Sequence, residues 1–331
     1  MKGITAWLDK NEDHKILGPI ITYSRTNVGI LIAFFLLFAI GWIMSPFFLT
    51  ADNWINVLRQ ISTNANLAIG VMLAIILCGI DLTGGSIIAL SGCVSVQLII
   101  LLDCPVWLAV ICGCLTGVLA GFCNGTIIAY TGMPAFIVTL AMQNICRGAA
   151  YLVANGQPIR IKLDAFEKIG TGYIGIIPLP VIYTFFFMIF TFFILNKTRM
   201  GRHIYAVGGN REAARFSGIK IARVEILVYT FSGFLAAFSG VVLAARMASG
   251  QPAVGLGYET DAIAAAVVGG TSFSGGVGTV GGMFIGALVI GILSNIMNLL
   301  GINSFAQYIA KGIVILVAVY IDLFRKRKNR F

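Results

Sequence analysis

Residues 196–223, NKTRMGRHIYAVGGNREAARFSGIKIAR, form a basic island between two long apolar tracts, FFFMIFTFFIL (Phe185–Leu195) and VEILVYTFSGFLAAFSGVVLAA (Val224–Ala245). Lys197, Arg199, Arg202, Arg211, Arg215, Lys220 and Arg223 lie within it. Cations at this density beside apolar spans mark a cytoplasmic loop of a membrane protein. Inside the loop, Glu212-Ala213-Ala214-Arg215 is a run of strong helix formers, opened by Gly208-Gly209-Asn210 and closed by Gly218. That punctuation predicts a helix of two to three turns. Taken alone the loop has two uses: a solvated segment that orients the protein, or a coupling helix that docks on a soluble partner.

The chain of 331 residues is 58% hydrophobic and 11% charged, with a mean hydropathy of +0.94. A soluble domain carries roughly 25% charged residues, so this chain belongs in a lipid bilayer. Its net charge of +10 does not indicate nucleic acid, because the cations flank membrane segments instead of forming one continuous face. The seven cysteines fall almost entirely in apolar tracts without metal or disulfide spacing and read as small core thiols. His14 and His203 sit in cytoplasmic segments without ligand partners, so no metal site is expected. No cleavable signal peptide is evident: the first 27 residues are polar, and the apolar run after them is too long for a signal core.

A spanning helix needs about 20 apolar residues. That rule gives an all-α polytopic fold of about ten spans, near 28–48, 60–79, 84–102, 106–130, 134–153, 178–195, 224–245, 261–275, 279–300 and 304–323. The eighth is short and rich in glycine, as in a broken or re-entrant segment. The whole of 1–331 reads as one unit: a cytoplasmic tail (1–27), the membrane domain (28–323) with its loop at 196–223, and a basic cytoplasmic tail (324–331). With both termini inside, sixteen Lys and Arg fall on cytoplasmic segments and five on external ones. That is a clear positive-inside bias, and removing the eighth span would strand the RKRKNR tail outside. The remaining internal turns, Ile80–Gly84, Thr131–Met133 and Gly275–Thr279, are read as short cytoplasmic connections.

Glycine carries the packing signal. Gly113, Gly117, Gly121 and Gly125 recur every fourth residue on the fourth span, and Gly278, Gly282 and Gly286 do so on the ninth. No hydrophobic force drives helices together in lipid, so small residues that permit close backbone approach mark helix contacts. Asn124 precedes Gly132 and Phe136 much as Asn295 precedes Gly301 and Phe305. This loose correspondence suggests that spans 2–5 repeat, inverted, as spans 7–10, with a substrate path at their interface.

Four ordered blocks then resemble a known family: GIDLTGGSIIALSG (Gly79–Gly92), NGTIIAYTGMPAFIVTLAM (Asn124–Met142), TRMGRHIYAVGGNREAARFSGI (Thr198–Ile219) and ETDAIAAAVVGGTSFSGGVGTVGGMFIGALVIG (Glu259–Gly291). They resemble the monosaccharide permeases of bacterial ATP-binding cassette importers, of ribose and galactose type, over residues from about 50 to 323. The resemblance implies a homodimer of permeases, cytoplasmic ATPase subunits that bind ATP and magnesium, and an external sugar-binding protein that does most of the selecting. It places the chain in the bacterial plasma membrane. It also assigns the ATPase-coupling segment to Gly208, Gly209, Asn210, Glu212, Ala213, Ala214 and Gly218. Asp81 stands in Asp-Leu-Thr-Gly-Gly, where Asp-Leu-Ser-Val/Ala-Gly is commoner, and the second glycine is expected to loosen that turn.

The residues themselves agree. The chain lacks a phosphate-cradling Gly-x-x-x-x-Gly-Lys-Ser/Thr loop, so no enzymatic activity or cofactor is expected in it. Two mechanisms remain open: a permease driven by a separate ATPase, or a stand-alone gradient-driven carrier or channel. Carriers of the second kind place acids in mid-membrane, whereas Asp81, Glu225, Asp261 and Asp322 read as span ends and Arg147 and Lys311 as the deepest charges. A neutral sugar needs a weakly binding path of amides and hydroxyls. Asn64, Asn124 and Asn295 are the candidates for that path among the in-span amides.

Overall fold

The structure, a computed structural model, describes residues 17–328, with side chains from Ile30 to Val317 and at Tyr320. The N-terminal tail through residue 16, with His14, and the side chains of the RKRKNR run lie outside the described residues. Thirteen helices make up the described fold. They are α1 (Leu17–Met44), α2 (Ala51–Ile76), α3 (Gly84–Leu102), α4 (Val106–Thr131), α5 (Ala135–Val153), α6 (Asp164–Thr171), α7 (Leu179–Lys197), α8 (Arg199–Gly209), α9 (Arg211–Phe216), α10 (Ile221–Met247), α11 (Tyr258–Val268), α12 (Val280–Leu299) and α13 (Ser304–Lys328). Among the described residues, α3, α4, α5, α7, α10 and α12 are long and apolar enough to cross a membrane. Four two-residue strands form two small antiparallel ribbons: β1 (Ile159–Arg160) with β4 (Ser249–Gly250), and β2 (Tyr173–Ile174) with β3 (Ile177–Pro178).

The centre of the fold is α10, which packs most extensively on α4 and then on α3 and α2. The α4–α10 contact is close because it is made by glycine. A methyl built on Gly117 would collide with the Gly233 carbonyl, and one on Gly233 with the Gly117 carbonyl. On the same stripe Gly121 faces the Tyr229 carbonyl and Gly125 the backbone of Ile226, while Gly113 meets Ser91 and Ser95 of α3. Close approach of this kind lets dispersion contacts accumulate where water is absent to drive association. On the other side of α10, aromatic rings fill the gap to α7: Phe187 lies 5.1 Å from Phe238 and 5.8 Å from Phe234, and Tyr183 lies 5.3 Å from Phe238.

Several sequence expectations are corrected. The first helix begins at Leu17, inside the region read as a polar tail, and ends at Met44, where the Ser45–Thr50 turn caps α2 through Thr50. The eighth element is not a full span. Helix α11 has 11 residues, about 16 Å of helix against a hydrocarbon core of ~30 Å. After it the chain runs without helix from Gly269 to Thr279, with Gly270, Gly275 and Gly276 at positive φ. Gly278 therefore lies before α12 and faces the Ile76 side chain and Thr271, while Gly282 and Gly286 lie on α12 against the carbonyls of Gly269 and Ala265 at the end of α11.

The turn Ile80–Gly84 is also more than a surface connection. From Cys78 the chain turns back along α2, with the Gly79 N–H donating to the Ala74 carbonyl at 2.9 Å. Asp81 is buried. Its carboxylate accepts from the Thr83 N–H and hydroxyl and, at 2.7 Å, from the Ser232 hydroxyl of α10. The segment between α10 and α11 behaves similarly, since Gly250 packs on Cys93 and Gly255 on Gly85, both in α3. Each half of the chain thus carries a helix, a non-helical return and a second helix. Arg147 of α5 donates to the Pro252 and Val254 carbonyls of the second return, both at 2.7 Å. Unpaired carbonyls away from water cost several kcal/mol each, which explains a cation at this depth.

Replacing Gly117 by Leu is expected to lower unfolding stability by about 3 kcal/mol or more, since the side chain must push the two backbones away from each other. Gly148→Leu, at a position with open space around it, should leave stability within ~0.5 kcal/mol of the parent. Thermal unfolding of the two variants in detergent checks this, and a parental midpoint for Gly117→Leu contradicts it.

Candidate functional site: the α8–α9 helix pair

The basic island folds as α8 and α9, two consecutive helices joined at Asn210. Thr198 caps α8 by accepting from the Gly201 N–H, and Asn210 caps α9 by accepting from the Ala213 N–H at 2.9 Å. An N-cap of this kind contributes about 1 kcal/mol. Helix α9 ends in a Schellman arrangement: the Gly218 N–H donates to the Arg215 carbonyl and the Ile219 N–H to the Ala214 carbonyl. Gly218 sits at φ +80°, a conformation open to glycine at little cost. The helix has six residues, under two turns, because Gly208 and Gly209 close α8 instead of opening α9.

Only one face of α9 is held. Ala214 is buried, whereas Glu212, Ala213, Arg215 and Ser217 are exposed. Phe216 is 87% exposed, an aromatic side chain that the described residues leave uncovered. At its base α9 is tied to α10 by a two-pronged pair between the Arg211 guanidinium and the Glu225 carboxylate. Glu225 is buried and Arg211 half-exposed, so water screens the pair and its contribution is about 1 kcal/mol. Sequence reading missed both features. An apolar residue in a polar run was the visible sign of Phe216; no periodicity announced the Arg211–Glu225 pair.

The C-terminal end of α8 seats against two other elements. Gly208 leaves no room for a Cβ, which would strike the Ile76 carbonyl at the end of α2 and approach the Gly276 nitrogen. The Gly276 N–H donates to the same Ile76 carbonyl at 2.9 Å. The Cys78 thiol donates to the Gly208 carbonyl at 3.4 Å and the Ser274 carbonyl at 3.2 Å. The Tyr205 hydroxyl donates to the Gly278 carbonyl at 2.7 Å. Helix α8, the end of α2 and the 269–279 segment are joined there.

The three candidate path residues are placed differently from one another. Asn124 of α4 is fully buried, and neither amide atom has a hydrogen-bond partner among the described residues. Asn64 of α2 is half-buried with its carbonyl oxygen unpaired among the described residues. Asn295 of α12 exchanges reciprocal hydrogen bonds with Asn53 at 2.8 and 3.1 Å. A hollow of about 570 Å³ is lined by Arg160, Lys162, Glu167, Ser249 and Gln251, and a small one of about 10 Å³ by Ser62, Asn66 and Ser239. None of the three asparagines lines either hollow. Two in-span cations are instead bound to the first turn of α11 and its approach. Lys311 of α13 pairs with Asp261 at 2.7 Å, Gln143 of α5 donates to Glu259 at 3.2 Å, and Arg147 holds the carbonyls before it.

Comparison with known proteins adds the following. A protein-family profile described as "Branched-chain amino acid transport system / permease component" matches residues 53–319. The ribose import permease protein of Haemophilus influenzae is 43% identical over 318 residues, covering 95% of this chain and 97% of that protein. The ribose import permease protein of Escherichia coli K12 is 42% identical, covering 88% and 92%. The L-arabinose transport system permease protein of the same strain is 37% identical, covering 91% and 92%. No solved structure matches the chain.

Asn210→Ala should speed hydrogen exchange of the Ala213 amide about fivefold, the equivalent of a lost cap. Exchange at the parental rate means that the Asn210 side chain does not hold α9.

Proposed function

The chain belongs to the branched-chain amino acid transport system permease-component family, and we propose how, within that family, it moves its substrate. It is the permease subunit of an ATP-binding cassette importer for a monosaccharide, a multi-pass protein of the bacterial inner membrane. The carrying observation is 42–43% identity with ribose import permeases along nearly the whole chain. A ribose-like sugar is favoured over arabinose, for which the identity is 37%.

In this reading ATP and magnesium bind an ATPase in another chain, and the work of hydrolysis enters through α8 and α9. The cytoplasmic pair suits that task. It offers an exposed anchor, Phe216, flanked by Glu212, Ala213 and Arg215, on a helix capped at both ends and clamped to α10 by Arg211–Glu225. Buried aromatic anchors dominate protein interfaces, and a small residue such as Ala213 permits close seating. A capped, clamped helix transmits a rigid-body push. Gly208, Gly209 and Asn210 set its angle and Gly218 turns the chain back to the membrane.

Nine longer helices and α11 are read as ten membrane passages, with α11 crossing only together with the 248–257 and 269–279 segments, and with both termini inside. The helix–return–helix pattern of α2–α3 and α10–α11 favours inverted repeats. The whole of residues 1–331 serves as one permease domain, and two copies assemble with the ATPase and an external sugar-binding protein. The amide groups of Asn64 and Asn124, unpaired among the described residues, favour a polar path through that assembly. A polar group left without a partner away from water is costly, and such a path supplies it with water or sugar. Asn64 and Asn124 remain the candidates to line that path, with Asn295 committed to Asn53.

Ala213→Trp is expected to abolish co-purification of the ATPase, and Phe216→Ala to weaken its binding at least tenfold, with membrane insertion of the permease unchanged. Parental ATPase affinity in both variants removes α9 as the docking element.

A further inference from the structure

The push that enters at α9 must reach the region of the membrane domain that moves. Among the described helices, α11 is the short one in the core. It is preceded and followed by non-helical segments, so it can shift as a unit without bending a continuous span. Its first turn is linked to α5 through Glu259–Gln143 and to α13 through Asp261–Lys311. Its last turn continues into the 269–279 segment, which lies directly on α8.

We propose that Tyr205 is a positioning residue for energy coupling: its hydroxyl, bonded to the Gly278 carbonyl, makes α11 follow the cytoplasmic helix pair. The inference rests on the coupling role given to α8 and α9 above. Three contacts hold the two sides in register around that bond. Gly276 donates to the Ile76 carbonyl, Gly208 closes on both, and Cys78 bridges the Gly208 and Ser274 carbonyls. These are backbone contacts at glycines or through a thiol, a weak donor. Tyr205 supplies a long side chain that reaches from α8 to the segment on the far side of the joint, and its ring is half-buried against it. When α8 tilts, the phenol draws Gly278 with it, and the segment, closed on itself by the Ser272 N–H donating to the Val277 carbonyl at 3.0 Å, carries the end of α11 along. Lys311 and Gln143 then pass the displacement to α13 and α5. Without the hydroxyl, α8 moves against the joint and α11 lags.

The test uses the full importer, with the permease, its ATPase and the sugar-binding protein reconstituted in proteoliposomes. Sugar uptake and ATP hydrolysis are measured together for the parent, Tyr205→Phe and Gly276→Ala. Tyr205→Phe keeps the ring and removes only the bond. Gly276→Ala places a methyl against Gly209 at a φ of +70° and spreads the joint from the other side. Both variants are expected to retain the ATPase and hydrolyse ATP, with sugar taken up per ATP lowered about three- to tenfold, as for the loss of one hydrogen bond. A misfolded fraction lowers uptake and hydrolysis together and leaves their ratio unchanged, so the ratio separates transmission from stability. An unchanged ratio in Tyr205→Phe overturns the proposal. If that variant does not insert, an unchanged ratio in Gly276→Ala overturns it instead. Failure of the underlying reading looks different, because the parent itself then takes up sugar without hydrolysing ATP.

Discussion

The meeting of α4 and α10 at Gly117 and Gly233 is the constraint on which the fold depends. In lipid, two apolar helices gain nothing from leaving water, so they hold together only where their surfaces fit at short range. Here the fit is backbone to backbone, because neither glycine presents a Cβ. With α4 seated, α10 is fixed between α3, α2 and the aromatic layer of α7. Its inner end, carrying Glu225, is then fixed as well. That carboxylate anchors Arg211, so the position of the α8–α9 pair traces back to the glycine contact of α4 and α10.

The second physical demand is to satisfy polar backbone within the fold. Both non-helical returns interrupt helices, and both are held by side chains that include ones from neighbouring elements. Asp81 and Ser232 hold the first, with Thr139 donating to the Ile80 carbonyl at 3.0 Å. Arg147 holds the second. Such breaks are costly in a membrane unless protein surrounds them. They are also where a transporter can move without unwinding a span, which is why the joint of α8, Ile76 and Gly276 lies next to one of them.

Much of this was legible in the chain, and the features that were not share a cause. The apolar tracts located the long helices, the four-residue glycine period singled out Gly113 to Gly125, and the run from Asn210 to Gly218 showed a helix with its cap and its stop. All of these signals are local. The Asp81–Ser232 bond joins residues 151 apart, the Asn53–Asn295 pair 242 apart and Tyr205–Gly278 73 apart, and nothing in composition or period records such pairings. The short α11 was hinted at by the shortness and glycines of its tract, and only the charge balance argued for a span there. Gly208 and Gly209 were read as helix openers, because glycine often punctuates; in the fold they are helical, and Gly208 is needed for its close approach to Ile76. The asparagines expected to line a path were chosen by type and by a loose repeat, and Asn295 is engaged with Asn53 in holding two helices together.

The measurement that bears most directly on this account is sugar uptake by proteoliposomes holding the permease, its ATPase and the binding protein, with ATP or ion gradients supplied separately. The account predicts that labelled ribose accumulates only when ATP is hydrolysed and continues when ionophores collapse every gradient. Accumulation by the permease alone, without an ATPase and abolished by an ionophore, contradicts it.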